Sequence, residues 1–297
     1  MRVAVSVIMP VHRAENFEHV LVGWEMQDMA HDLYWELIVV VTGEWNAVSE
    51  MIGEHPDGNG CTVIEHNALG LGNCRARNEG AAMASGERLL FVDGDCVPCD
   101  DVVNQHAGAS GLGLGICNIE LSRPADNVVV ALPRSQGKWQ GGIQTEFTDY
   151  VRFVNGITLN QAVGFAMFHN PNWFGDCINC VTRNVSVPRE WFIANGGFDT
   201  NLEYSPESPS RGWEDLELGL RWVATTRYGH GDCVPAWTAH IHHENQYQKD
   251  NGLLNIARVM LKHPWFMTQR PEWFEGRYDI AEVKRVMEQI RREEAVR

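Results

Sequence analysis

The sequence predicts an α/β protein, a largely parallel sheet with helices on both faces. Three observations carry this. Apolar, β-branched runs at Val3–Met9, Trp35–Val41, Cys61–Glu65 and Arg88–Val92 read as buried strands. Segments of helical spacing lie between them. Two of the runs end in polar segments, Pro10-Val11-His12-Arg13 and Asp93-Gly94-Asp95, at the carboxyl ends of strands where such sheets bind ligands.

Each element follows from its residues. After the first strand, Glu15 to about Met29 has helical spacing, with Phe17, Val20, Leu21 and Trp24 on one face. Ala47–Gly53 reads as a short helix. Gly72–Ser85 is small and alanine-rich, as a helix packed closely on a sheet should be. The fourth strand runs straight into Asp93-Gly94-Asp95. Alternation of strand and helix through this half implies parallel crossovers.

The second half is less regular. Gly111–Leu121 and Ile178–Val187 read as strands, and Gly231–His243 as a final strand and turn. Residues 122–145 read as a loop. Residues 155–176, rich in Asn, Gly, Phe and Trp, read as a substrate-facing surface, where Trp173 and Phe174, like Trp139 in the preceding loop, offer aromatic faces that either stack on a ligand or, as is commoner in loops, pack locally. Gly196-Gly197-Phe198-Asp199 is a turn and 200–212 a loop. A helix runs from Trp213-Glu214-Asp215 to about Thr225, with Leu216, Leu220 and Val223 on one face and a Glu217–Arg221 pair four residues apart. Leu253–His263 and Asp279–Glu294 are amphipathic helices. Residues 1–245 are expected to form one domain, with 246–297 a helical extension packed on it.

The 297 residues are 44% hydrophobic with a formal net charge of -15, globular composition on an acidic surface. That charge disfavours extended nucleic-acid binding, though a local basic groove is compatible with it. A site for an anionic nucleotide needs its own metal or arginines. No stretch approaches the roughly 20 apolar residues of a membrane span. The opening run is short and ends in Pro10-Val11-His12-Arg13, so it reads as a strand and not a signal peptide. A cytoplasmic location is expected. The eight cysteines include two C-x-x-C pairs, Cys96/Cys99 and Cys177/Cys180, whose separation exceeds zinc-ribbon spacing; buried apolar roles fit them better than a zinc site.

Three segments carry chemistry. Asp93 and Asp95 follow a buried strand, where two carboxylates are costly unless neutralised. A hard divalent cation is the natural partner, and Gly94 lets backbone approach a ligand closely. A plain acidic turn is the alternative. His240-Ile241-His242-His243 places three imidazoles in four positions; combined with Asp95 they make a mixed oxygen and nitrogen site that favours Mn2+ over Mg2+. A solvated histidine turn is the alternative there. Glu214 and Asp215 open a helix, where carboxylates serve either as capping groups or as a general base toward an attacking hydroxyl. Trp213 beside them offers an apolar face for a sugar.

The segments in order resemble family 2 glycosyltransferases of the GT-A fold. Val5-Ser6-Val7-Ile8-Met9-Pro10-Val11-His12-Arg13 is similar to their opening strand and nucleotide loop. Ala76-Arg77-Asn78-Glu79-Gly80 is similar to their A-R-N-x-G helix, and Phe91-Val92-Asp93-Gly94-Asp95 to their D-x-D. Gly196-Gly197-Phe198-Asp199 and Gly212-Trp213-Glu214-Asp215-Leu216-Glu217 resemble their G-G-F-D and W-x-E-D blocks, which recur in the galactosyl- and N-acetylgalactosaminyltransferase branches. His240-Ile241-His242-His243 resembles their H-x-x-H. The resemblance spans roughly residues 3–245. It implies that Asp95, His240 and His243 hold Mn2+ or Mg2+, with His242 turned away. It implies that Pro10, Val11, His12 and Arg13 line the base, Arg77 faces base or phosphate, and Asp93 and Gly94 sit at the donor. Asp215 is then the base, Glu214 holds acceptor or donor sugar, and Trp213 contacts the sugar.

One departure stands out. Family members carry acidic residues after the second strand, as in V-V-D-D-G-S, whereas this chain has Val40-Val41-Thr42-Gly43-Glu44. Glu44 is the candidate substitute. The expected reaction is inverting transfer from a nucleotide-sugar donor, UDP first and GDP second, to a hydroxyl of a glycan or small molecule. The alternatives are a retaining enzyme and an inactive protein of this fold that binds carbohydrate or nucleotide. A nucleotidyltransferase would want a glycine-rich, lysine-containing loop after the first strand, and Pro10-Val11-His12-Arg13 is not one.

Overall fold

The computed structural model describes residues 2–27, 33–54, 61–121, 129–131, 152–154, 180–203, 212–226, 231–241 and 252–296. The strands are β1 (Val3–Val11), β2 (Tyr34–Val41), β3 (Cys61–Asn67), β4 (Arg88–Phe91), β5 (Cys96–Pro98), β6 (Gly113–Leu121), β7 (Val129–Ala131), β8 (Arg152–Val154), β9 (Val185–Pro188) and β10 (Asp232–Ile241). The helices are α1 (Phe17–Glu25), α2 (Trp45–Glu54), α3 (Asn73–Met83), α4 (Val102–Ala107), α5 (Arg189–Ala194), α6 (Glu214–Thr225), α7 (Leu253–Lys262), α8 (Pro264–Gln269) and α9 (Ile280–Val296).

Eight strands form one sheet in the order β3-β2-β1-β4-β9-β6-β10-β5, and β7 and β8 form a separate pair. β3, β2, β1 and β4 run parallel, as expected from their crossover helices. β9 then runs antiparallel between β4 and β6, and β5 antiparallel beside β10. The strand expected over Ile178–Val187 is therefore shorter: within the described residues it starts at Val185, because Thr182 to Asn184 form a turn.

The pleat sorts β1 between two cores. Val5, Val7, Met9 and Val11 join one cluster with Phe17, Val20 and Trp24 of α1; Ile8 joins the other with Ala76 and Ala81 of α3. This two-sided burial explains the continuous apolar runs. Cys96 and Cys99 lie in the first cluster and Cys180 in the second, so these members of the two C-x-x-C pairs pack into different cores. Burial pushes the Cys99 thiol well above its ordinary value, which keeps it protonated.

α6 is shared between two cores. Leu218 and Trp222 pack toward the sheet, with Val223 beside them; Leu216 and Leu220 pack into a third cluster with α7, α8 and α9. The single apolar face expected for this helix is thus two faces, with Val223 on the opposite one from Leu216 and Leu220. No helix among the described residues is long and apolar enough to cross a membrane.

Candidate active site

The carboxyl ends of β1, β2 and β4 bring three loops together. Thr42 N–H donates to the Val11 carbonyl at 2.8 Å, and Glu44 N–H to the His12 carbonyl at 3.0 Å. The Glu44 carboxylate accepts from Ala14 N–H at 2.9 Å, so it braces the loop that follows β1. Pro10 and Val11 are buried strand residues, whereas His12 is exposed and Arg13 partly exposed. Gly94 fits here because it has no side chain. A Cβ would lie 2.8 Å from Val11 Cγ2 and 3.0 Å from the Pro10 carbonyl oxygen. The D-x-D loop is thereby pressed against the end of β1.

Arg77 is the hub. Its side chain is 1% exposed; Nη2 donates to Asp93 Oδ1 at 2.7 Å and Nη1 to Glu214 Oε1 at 3.3 Å. The guanidinium carbon also lies 5.5 Å from the centroid of the Phe198 ring. Burial works against its charge, but Asp93 and Glu214 outweigh that and hold it firmly protonated. Arg77, expected to face base or phosphate, ties the D-x-D loop to the start of α6.

Arg77 is aimed by its neighbour Asn78, whose side-chain amide bonds both the N–H and the carbonyl of Phe198. The Phe198 ring packs edge-on against Phe91 at 4.9 Å, the last residue of β4 before the D-x-D. The A-R-N-x-G and G-G-F-D segments are thus one packed unit. Asn78 carries a signal the sequence reading passed over: asparagine is poor in a helix interior, so one there is expected to have a specific partner.

Asp215 follows Glu214 on the first turn of α6. Its Oδ1 accepts from Leu216 N–H at 2.8 Å. Burial first, then the neighbouring Glu214 charge, pushes its carboxyl up to about 7. Such a value suits a group that takes a proton near neutral pH. Trp213 is partly buried and in left-handed backbone, with φ 74°. Its indole N–H donates to Tyr278 Oη at 3.1 Å and its ring meets Trp273 edge-on at 5.3 Å.

Across from α6, β10 returns His240 to the D-x-D. Ile241 N–H donates to the Asp95 carbonyl at 2.8 Å, and His240 Nε2 lies 3.4 Å from Asp95 Oδ2. Two ligand atoms of one octahedral shell, each about 2.1 Å from the ion, lie about 3 Å apart. A carboxylate and an imidazole at this spacing fit a shared divalent cation. His242, His243, Trp139, Trp173 and Phe174 lie outside the described residues. Among the described residues, no group of three or more His, Cys, Asp or Glu side chains converges as a complete metal cage.

A cleft of about 470 Å3 opens behind Asn78, lined by Gly197, Asp199, Glu217, Lys262 and His263 among others. Glu217 is 1% exposed and bonds Arg221 at 2.7 Å and His263 at 3.3 Å, and Lys262 bonds Asp199 at 2.7 Å. The expected Glu217–Arg221 pair is present within this larger network. The cleft's lining includes none of Asp93, Asp95, Glu214 and Asp215.

A mostly parallel α/β sheet with acidic side chains gathered at its strand ends is the class these features define. The family described as "glycosyltransferase like family 2" matches residues 6–228, and the chain belongs to it. The chain is 25% identical over 293 residues to the validoxylamine A glucosyltransferase of Streptomyces hygroscopicus subsp. limoneus, covering 89% of this chain and 59% of that protein. A validoxylamine A glucosyltransferase of S. hygroscopicus subsp. jinggangensis is 26% identical over 294 residues, covering 89% and 64%. The chain thus spans about three fifths of the length of the curated relatives it matches. Solved structures share the fold. GalNAc-T7 with UDP, GalNAc and Mn2+ aligns at TM-score 0.55 and 17% identity over 97% of this chain and 54% of that one. S. aureus TarS 1-349 with UDP-GlcNAc aligns at 0.52 and 12% over 96% and 70%. The mannosyltransferase PcManGT from Pyrobaculum calidifontis, with GDP-Man and Mn2+, aligns at 0.50 and 16% over 97% and 69%. The GT-A fold expected from the motifs is the fold found.

Proposed function

We propose that this chain transfers a sugar from a nucleotide-diphosphate donor to an acceptor hydroxyl with inversion, and that Asp215 is the base. The observation that carries this is Arg77 joining Asp93 to Glu214, which sets the D-x-D and Asp215 in one site. Residues 1–245 form the transferase unit in this reading, and 246–297 support it.

Asp95 and His240, with His243, would hold Mn2+ or Mg2+, which when bound supplies Lewis-acid neutralisation of the departing diphosphate. Asp93, anchored by Arg77, lies at the donor. Pro10, Val11, His12 and Arg13 border the base, and UDP is preferred over GDP. Asp215 removes the acceptor proton as the hydroxyl attacks the anomeric carbon from the face opposite the leaving group. Burial, and after it the neighbouring Glu214, raises the Asp215 carboxyl toward neutral pH. Holding donor and acceptor in line removes much of the entropic barrier.

A donor panel screened by thermal shift with Mn2+ identifies the nucleotide, since a ligand that binds only the folded state raises the melting temperature. Turnover with the identified donor is expected to vanish in Asp95→Ala and in Asp215→Asn. Full transfer by Asp215→Asn protein would remove the base assignment and favour a retaining mechanism. A second reading, a nucleotide-binding protein without transfer, is favoured by the Thr42-Gly43-Glu44 segment, whose one carboxylate already binds Ala14 N–H. Donor binding with no hydrolysis or transfer on any acceptor would support it.

A further inference from the structure

The backbone that leads into α6 is strained. Gly212 and Trp213 both take left-handed backbone, with φ 79° and 74°. Trp213, the N-cap residue, makes no side-chain cap bond. For an aromatic residue this backbone costs about 1–3 kcal/mol and persists only where the surroundings impose it. Those surroundings come from beyond residue 228, where the family match ends.

Asn255 of α7 is fully buried. Its Nδ2 donates to the Gly212 carbonyl at 3.1 Å and to the Leu202 carbonyl at 2.7 Å. Arg258 Nη1 donates to Asn255 Oδ1 at 3.1 Å, which turns the amide so that its N–H groups meet those carbonyls. Tyr278 accepts the Trp213 indole N–H at 3.1 Å, and Trp273 packs on the same ring. The Trp213 carbonyl in turn accepts Glu217 N–H at 2.9 Å, closing the first turn that carries Glu214 and Asp215.

We infer that Asn255 and Tyr278 are positioning residues: from the C-terminal helices they hold the Gly212–Trp213 turn, and through it set Glu214 and Asp215 for the reaction. This rests on the transfer reading proposed above. It gives residues 246–297 a part in the chemistry, without contact to the reacting atoms.

The test uses the full chain with Asn255→Ala and Tyr278→Phe. Tyr278→Phe removes one hydroxyl and keeps the ring, so it decides the matter if Asn255→Ala fails to fold. Transfer kinetics are measured together with the Asp215 carboxyl titration, followed by carbon-13 NMR of aspartate-labelled protein and assigned with Asp215→Asn. The expected result is a fall in kcat of about tenfold or more, since small misplacements of reacting groups are that costly, with donor KM nearly unchanged. The Asp215 midpoint is expected to move toward the ordinary carboxylate value. Wild-type kcat and an unmoved Asp215 midpoint in folded Tyr278→Phe would overturn the inference. A moved midpoint in a protein whose wild type turns over no donor would refute the transfer reading and leave the positioning role standing.

Discussion

Asn78 grips Phe198 by both polar groups of its backbone: Nδ2 donates to the Phe198 carbonyl at 2.9 Å and Oδ1 accepts the Phe198 N–H at 2.8 Å. Because Arg77 is the adjacent residue, this grip also fixes the guanidinium between Asp93 and Glu214. Asn78→Ala loses two hydrogen bonds and leaves two backbone groups short of partners. It is expected to cost about 1–3 kcal/mol in urea unfolding. Gly197→Ala should also destabilise, because its Cβ would lie 2.5 Å from Asn78 Oδ1 and φ is 72°.

Removing the hub is expected to cost more. Arg77→Met leaves Asp93 and Glu214 without their shared cation, and breaking a buried pair of this kind costs about 3 kcal/mol. Arg77→Lys should recover only part of it, since an ammonium lacks the two-pronged geometry that reaches both carboxylates. Guanidinium-induced unfolding of the two variants measures the difference.

Asp215 should show itself in two pH profiles. As a base it must be ionised, so kcat/KM is expected to fall as pH drops through about 7 and to vanish in Asp215→Asn. Stability runs the other way. A carboxyl raised from its ordinary 3.8 to about 7 favours the folded state when protonated, and that contribution fades as pH rises from 3.8 through 7. Asp215→Asn should therefore raise the melting temperature at pH 8 and change it little at pH 4.

His106 gives an acid limit. It is fully buried, with Nδ1 2.8 Å from Ser186 Oγ and Nε2 2.7 Å from Asn184 Oδ1. Burial lowers it to about 3 from an ordinary 6.5, although the Asn184 bond opposes the shift and nearby Arg88 adds to it. Between those values the unfolded chain binds a proton that the folded chain does not. This group alone then lowers stability by about 1.4 kcal/mol per pH unit on acidification. His106→Gln should flatten the stability profile between pH 6.5 and 3 in urea titrations.

Strands β1, β2 and β4 were legible because both their faces are buried, which leaves unbroken apolar runs; β3 is the edge strand, with none of its residues fully buried, and was legible from its short Val63-Ile64 core. β5 was not, since Cys96-Val97-Pro98 is three residues long and depends on β10 for its pairing. The helices α4, α5 and α8 are six residues each, too short for a period to emerge. In the site, Asp95, His240 and Asp215 were visible as residue types. What joins them was not: Arg77 contacts Asp93 across 16 positions and Glu214 across 137. Asn255 carried less signal than Asn78, because it lies in the first turn of α7, where an asparagine looks the same whether it faces water or holds two distant carbonyls.

β10 lies beyond the family match, between β6 and β5 in the sheet. A polypeptide stopping at residue 228 would leave the parallel edge of β6 bare and turn Leu216 and Leu220 toward water. An unpaired edge beside uncovered leucines is a template for self-association. The shortest stretch that covers its own sheet edge and core is therefore longer than the stretch that matches the family. Partial chains cut at that boundary should gather into sheet-linked aggregates.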